Sequence, residues 1–157
     1  MLAPTWPRQR DCAAFYGKPG TGHTMLKLPY PMRLAWDPHV AIRRITIHEK
    51  CASSARRVLA RTRAHYGMEQ ICELGLDRFG GCYNNRPMRG GSALSMHAYA
   101  CAIDFDPARN LLRWSARRAR LARSDAVRFW EFWEEEGWVS LGRARDFDWM
   151  HVQAARF

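Results

Sequence analysis

Ser95-Met96-His97-Ala98-Tyr99-Ala100-Cys101-Ala102-Ile103-Asp104 and the Phe105 that follows decide how this chain is read. Cys101 to Phe105 has the apolar character of a buried strand, yet it carries Asp104 between Ile103 and Phe105. A carboxylate there is expensive to bury unless it is paired or metal-bound. A second stretch, Asp146-Phe147-Asp148-Trp149-Met150-His151-Val152-Gln153, sets His151 between Met150 and Val152 in another strand-like segment. His97, Asp104 and His151 together offer two imidazoles and one carboxylate, enough to hold a catalytic zinc with one position open. Asp148, three positions before His151, would then be the base that takes a proton from water. Positions three apart on an extended strand point to opposite faces, so Asp148 must lie where the strand begins or bends. Asp106 competes with Asp104, but it precedes Pro107 and reads as the start of a turn. Asp146 competes with Asp148 for the base role in the same way.

Working outward, residues 1–38 are rich in Pro and Gly and read as an irregular N-terminal wrap on a single domain, 1–157. Ile42 to His48 partly alternates and predicts a short strand. Ala52, Ala55, Val58 and Leu59 recur at helical spacing over Glu49 to His65, with Gly67 closing the helix and Thr62 interrupting the stripe. Leu74 to Ser92 reads as a long loop. A second helix is expected from an N-cap at Ser124 to Glu136, closed by Gly137, burying Ala126, Phe129, Trp130 and Trp133. Trp138 to Leu141 and Trp149 to Gln153 read as strands paired antiparallel across the Gly142 to Asp148 loop. The fold class is α+β, a small antiparallel sheet flanked by helices.

Composition narrows the partners. The 157 residues carry a net charge of +10 and seven tryptophans, which fits a folded basic domain and not a disordered tail. The charge points to polyanionic surroundings, either nucleic acid or an anionic cell wall or envelope. Much of it lies in Arg109 to Arg123, a run that is often only a solvated face. No apolar run approaches the roughly 18–20 residues that span a bilayer. Met1 to Arg8 lacks the apolar centre of a secretory signal, so cytoplasmic synthesis is expected, and any export would need another protein. Five cysteines without a C-x-x-C pair argue for reduced thiols. Cys101 reads as a small buried strand residue, since a fourth-ligand role would close the open position. His48-Glu49 is not an H-E-x-x-H helix, because the fifth position is Ala52.

Ser95-x-His97-x-x-Ala100-x-Ala102-x-Asp104 resembles the S-x-H-x-x-G-x-A-x-D signature of the VanY/VanX-like zinc peptidases. These are D-alanyl-D-alanine carboxypeptidases and dipeptidases, together with phage L-alanyl-D-glutamate endopeptidases. Asp148-Trp149-Met150-His151 is similar to the family's second element, an acid three positions before a histidine. The resemblance covers about Gly80 to Gln153 and implies a Hedgehog/DD-peptidase-like fold with zinc at the sheet. It implies zinc held by His97, Asp104 and His151, with Asp148 as catalytic base. It also implies a cationic side chain on the substrate, for which Arg86 is the first candidate and Arg89 the second; Ser95 is a further candidate contact. Three departures stand out. Ala100 replaces the usual glycine, harmless only at negative φ. Asp148 is one methylene shorter than the common glutamate. Gln153 stands where an acid often follows the second histidine.

The implied substrate is a peptidoglycan stem peptide, cut at L-Ala-D-Glu or D-Ala-D-Ala, and the implied role is a phage or prophage lysis enzyme. A monomer without a membrane span is expected. The rival reading is a basic, non-enzymatic nucleic-acid- or wall-binding protein with a structural metal. Such a closed site needs a fourth ligand, and Cys101 is the nearby thiol.

Overall fold

The computed structural model describes residue 2 and residues 4–157. After a short helix α1 (Cys12–Tyr16), two long strands, β1 (His23–Leu34) and β2 (Asp37–His48), form an antiparallel hairpin. On β1 the residues Leu26, Leu28, Tyr30 and Met32 are buried while Lys27 and Arg33 are exposed, the period-2 pattern of a half-buried strand. The irregular reading of 1–38 therefore fails from residue 23 onward. Pro29 and Pro31 masked the alternation. They occupy the stretch between Lys27 and Met32 where the register with β2 shifts, a place where a missing N–H is tolerated.

Helix α2 (Glu49–Leu74) buries Cys51, Ala55, Val58 and Leu59 on one face. Thr62 belongs to that face, because its hydroxyl donates to the Val58 carbonyl at 2.8 Å and is satisfied inside the helix. Gly67 breaks the helix at φ 73° as expected, but helical structure resumes and ends at the left-handed Gly75. His48 caps α2: its Nδ1 accepts from the Lys50 N–H at 3.2 Å, and its Nε2 lies 2.8 Å from the Tyr16 carbonyl. Backbone groups hold both nitrogens of His48, which serves as a helix cap.

The Leu74 to Ser92 segment is not all loop, since it contains β3 (Arg78–Gly81). β3 runs parallel to β1 and antiparallel to β4 (Ala102–Phe105), so the sheet is mixed and not wholly antiparallel. The reason is topological: β2 reverses β1, and the α2 crossover brings the chain back to enter β3 in the direction of β1. Helix α3 (Val127–Glu135) follows a 3-10 turn at Ser124–Ala126, and Ala126 is its N-cap residue, so Ser124 does not cap it. Phe129, Trp130, Phe132 and Trp133 are buried, and Gly137 leaves the helix at φ 81°. β5 (Val139–Ser140) and β6 (His151–Gln153) pair antiparallel, but a short helix, α4 (Leu141–Arg145), fills part of their connection.

The six strands order as β2-β1-β3-β4-β6-β5, with α2 against β1 and β2 and α3 against α2 and β5. The α+β class stands, with a mixed six-stranded sheet. Among the described residues no helix is long and apolar enough to cross a membrane.

Candidate metal centre

Strand register explains why the site residues meet. In the β4–β6 pair, Asp104 lies directly opposite His151, Ile103 opposite Val152 and Ala102 opposite Gln153. Ile103 and Val152 are driven into the core, which turns Asp104 and His151 together onto the other face. His97 arrives from a 3-10 turn, Met96–Tyr99, whose N-cap Ser95 accepts the His97 N–H on its hydroxyl at 3.2 Å. Ligand atoms of His97, Asp104 and His151 all lie within 4.8 Å of one another. Asp104 reaches both histidines, Oδ2 lying 3.1 Å from His97 Nε2 and Oδ1 3.1 Å from His151 Nδ1. The two imidazole rings stand nearly perpendicular, at 86°.

The hydrogen bonds around the trio fit a metal. His97 Nδ1 lies 2.8 Å from the Cys82 carbonyl, which can only accept, so the proton sits on Nδ1. Its Nε2 is left buried with no hydrogen-bond partner, close to Asp104 but not aligned with it. His151 Nε2 lies 2.9 Å from Gln153 Oε1, whose amide nitrogen donates to the Ala155 carbonyl at 3.1 Å and so fixes the oxygen toward the ring. Nδ1 of His151 is thereby turned to the Asp104 side. Without a metal, the contact with Asp104 favours a proton on this nitrogen. Burial disfavours that charge, but the hydrogen bond and charge of Asp104, with Asp148, outweigh it and raise the His151 pKa. Burial likewise opposes ionisation of Asp104, yet the two histidines hold its carboxyl far below the usual range. The three side chains can hold a metal ion, which would take the place of that proton.

Gln153, two positions after His151, shares its strand face, and its Oε1 accepts from the His151 imidazole. Gln153→Ala is expected to weaken metal binding about 10–100-fold, whereas Gln153→Glu keeps the acceptor and retains affinity. Competition with a chromogenic chelator measures both.

Ala100 does not meet the condition of negative φ. Its φ is 53°, left-handed, and it is fully buried. This conformation swings the chain from the His97 turn into β4, and the Ala100 carbonyl is fixed by the His48 N–H at 2.9 Å. The strain costs about 1–2 kcal/mol. Ala100→Gly relieves it but loses a buried methyl and adds unfolded-state entropy, so a net change within about 1 kcal/mol is expected. Ala100→Val adds a β-branch at positive φ and should cost more than about 2 kcal/mol. Urea unfolding distinguishes the two.

Asp148 sits on the turn before β6, at φ 55°. Its N–H donates to the Leu112 carbonyl at 2.8 Å and its own carbonyl accepts from the His151 N–H at 3.0 Å. That bend satisfies the geometric condition for sharing a pocket with His151, whose Nδ1 is 3.8 Å from Asp148 Oδ2. Burial pushes the Asp148 pKa up to about 6, assisted by Asp104 and opposed by the histidines and by Arg89. That value belongs to the metal-free site, and a cation bound beside Asp148 would lower it. Its competitors are occupied elsewhere. Asp106 accepts from Arg109 Nε at 2.6 Å and opens a 3-10 turn at Pro107. Asp146 accepts from the Ala116 N–H at 2.7 Å and from Trp149 Nε1 at 3.1 Å.

Cys101 faces away from the trio. Its thiol is fully buried and donates to the Met96 carbonyl at 3.4 Å. Arg86, Arg89 and Ser95 all line the same cleft as His97, Asp104, His151 and Asp148, a space of about 980 Å³. Ser95 acts there first as the cap of the His97 turn. Arg89 is close enough to favour the Asp148 anion, while Arg86 donates to the Pro87 carbonyl at 3.2 Å. Sequence reading missed Trp36, Tyr83 and Phe147 on the cleft wall, because isolated aromatics carry no signal of where they sit. It also missed the Cys82 carbonyl on His97, a backbone group that no side-chain motif reveals. The Arg109 to Arg123 run is partly self-neutralised: Arg109 pairs with Asp106, Arg120 with Asp125, and Arg118 stacks over Trp114.

Comparisons with family models, curated proteins and solved structures find no match to this chain. The functional reading therefore rests on the geometry.

Proposed function

We propose that the protein is a zinc-dependent peptidase acting on peptidoglycan stem peptides, at an L-Ala-D-Glu or D-Ala-D-Ala bond, in the manner of a phage lysis enzyme. The observation that carries the reading is the convergence of His97, Asp104 and His151, with the raised carboxyl of Asp148 beside them in an open cleft. Two nitrogens and one carboxylate oxygen suit zinc and leave a position free. When bound, the ion polarises a scissile carbonyl and lowers the pKa of water in the site to about 7. Asp148 then takes the proton from the attacking water and passes it to the leaving amine. Arg89, with Arg86 further out, meets the substrate carboxylate. The Cys82 carbonyl and Gln153 hold the two imidazoles in their ligating tautomers.

The orientation of Cys101 supports the catalytic reading over a structural zinc, since it does not supply the closing fourth ligand. The net charge of +10 would draw the protein to an anionic wall or envelope. Synthetic stem pentapeptide incubated with zinc-loaded protein tests the proposal. New free amine that disappears with chelator supports it; an intact peptide at every metal loading overturns it.

A further inference from the structure

Trp36 is two-thirds exposed, at 66%, in the turn between β1 and β2. Its exposure is not an isolated case. Of nine large exposed apolar side chains among the described residues, six line the metal cleft: Trp36, Tyr83, Met88, Leu111, Phe147 and Phe157. Such a concentration around a polar site marks a binding surface.

The strand order places these groups on both flanks of the metal centre. The turn carrying Trp36 is tied to β3, the Ala35 N–H donating to the Phe79 carbonyl at 2.9 Å, and the Trp36 ring leans toward Phe79. Phe157 follows β6, its ring under Arg145 of α4, which fills part of the β5–β6 connection beyond β4. From β1 across β3 and β4 to β6 there are three inter-strand steps, roughly 14 Å at about 4.8 Å each. An extended chain of about four residues covers that distance. Between Trp36 and Asp104 the floor is Gly80-Gly81. A Cβ at Gly81 would meet nothing within 4 Å, so a ligand backbone can lie close there. A Cβ at Gly80 would press on Asp104 and Pro107 at 3.0 Å, which keeps that floor bare. Arg86 and Arg89 on the same wall give the groove positive charge, complementary to a peptide bearing carboxylates.

We infer that Trp36 anchors a subsite for the peptide beyond the scissile pair, so that the protein prefers acidic peptides of about four or more residues over dipeptides. This rests on the peptidase reading. Two measurements test it: kcat/KM for a stem pentapeptide and for its terminal dipeptide, in wild type, Trp36→Ala and Trp36→Phe; and calorimetric binding of both peptides to zinc-loaded Asp148→Ala with and without Trp36→Ala. The pentapeptide should bind at least about tenfold tighter than the dipeptide. Trp36→Ala should lower pentapeptide affinity and kcat/KM about tenfold, leave the dipeptide values unchanged, and be partly rescued in Trp36→Phe. Pentapeptide cleavage unaffected by Trp36→Ala, or equal handling of both lengths, overturns the subsite alone. Absence of both binding and cleavage overturns the peptidase reading, and the subsite with it.

Discussion

Asp148→Ala is expected to lower kcat on a stem peptide by about 10²–10⁴-fold, the range of a positioned general base, while the protein still binds one metal per chain. The separation of the two effects follows from position. Asp148 lies on the turn before β6, 3.8 Å from His151, and takes no part in the hydrogen bonds that fix the ligand tautomers. Its removal leaves His97, Asp104 and His151 in register. In the proposed mechanism the carboxylate is the working form, so activity is expected to fall as pH drops through the Asp148 pKa. Burial places that pKa at about 6 in the metal-free protein, and a nearby cation pushes it lower. The acid limb of kcat/KM should therefore lie at or below about pH 6 and vanish from the residual rate of Asp148→Ala. Metal analysis beside a pH–rate series checks both halves.

Asp104→Ala is expected to abolish stoichiometric metal binding, with affinity falling by well over the roughly 100-fold seen when a supporting residue is lost. Asp104 touches both histidines at 3.1 Å, so its loss removes one of the three candidate ligands and the anion that organises the two imidazoles. Stability falls too, but by less than the roughly 3–5 kcal/mol of a broken buried ion pair, because His151 can shed its proton. The variant should also lose the metal-induced rise in Tm shown by wild type. Dialysis with metal analysis and thermal unfolding with and without zinc provide the readouts.

The site was more legible in the sequence than the fold. An aspartate between Ile103 and Phe105, and a histidine between Met150 and Val152, contradict their apolar surroundings, and buried polar groups of that kind need partners. Once β4 and β6 pair antiparallel, the Asp104–His151 contact is a consequence of register. The mixed sheet was not legible. β1 hid its alternation behind Pro29 and Pro31, and β3 is four residues ending in glycines, stable only because β1 and β4 flank it. The sign of φ at Ala100 was not legible, because a left-handed alanine is locally unfavourable and is imposed by the turn that delivers His97. The role of Gln153 depends on a rotamer fixed by the Ala155 carbonyl, which no spacing reveals.

The most direct measurement is digestion of purified peptidoglycan by the zinc-loaded protein, with the released termini identified by mass spectrometry and Asp148→Ala as control. The expected result is one new pair of peptide termini, lost in the variant and lost with chelator. Intact wall peptides from a protein that carries about one zinc per chain, as a three-ligand site requires, would contradict the catalytic account and leave a metal-binding wall or nucleic-acid protein in its place.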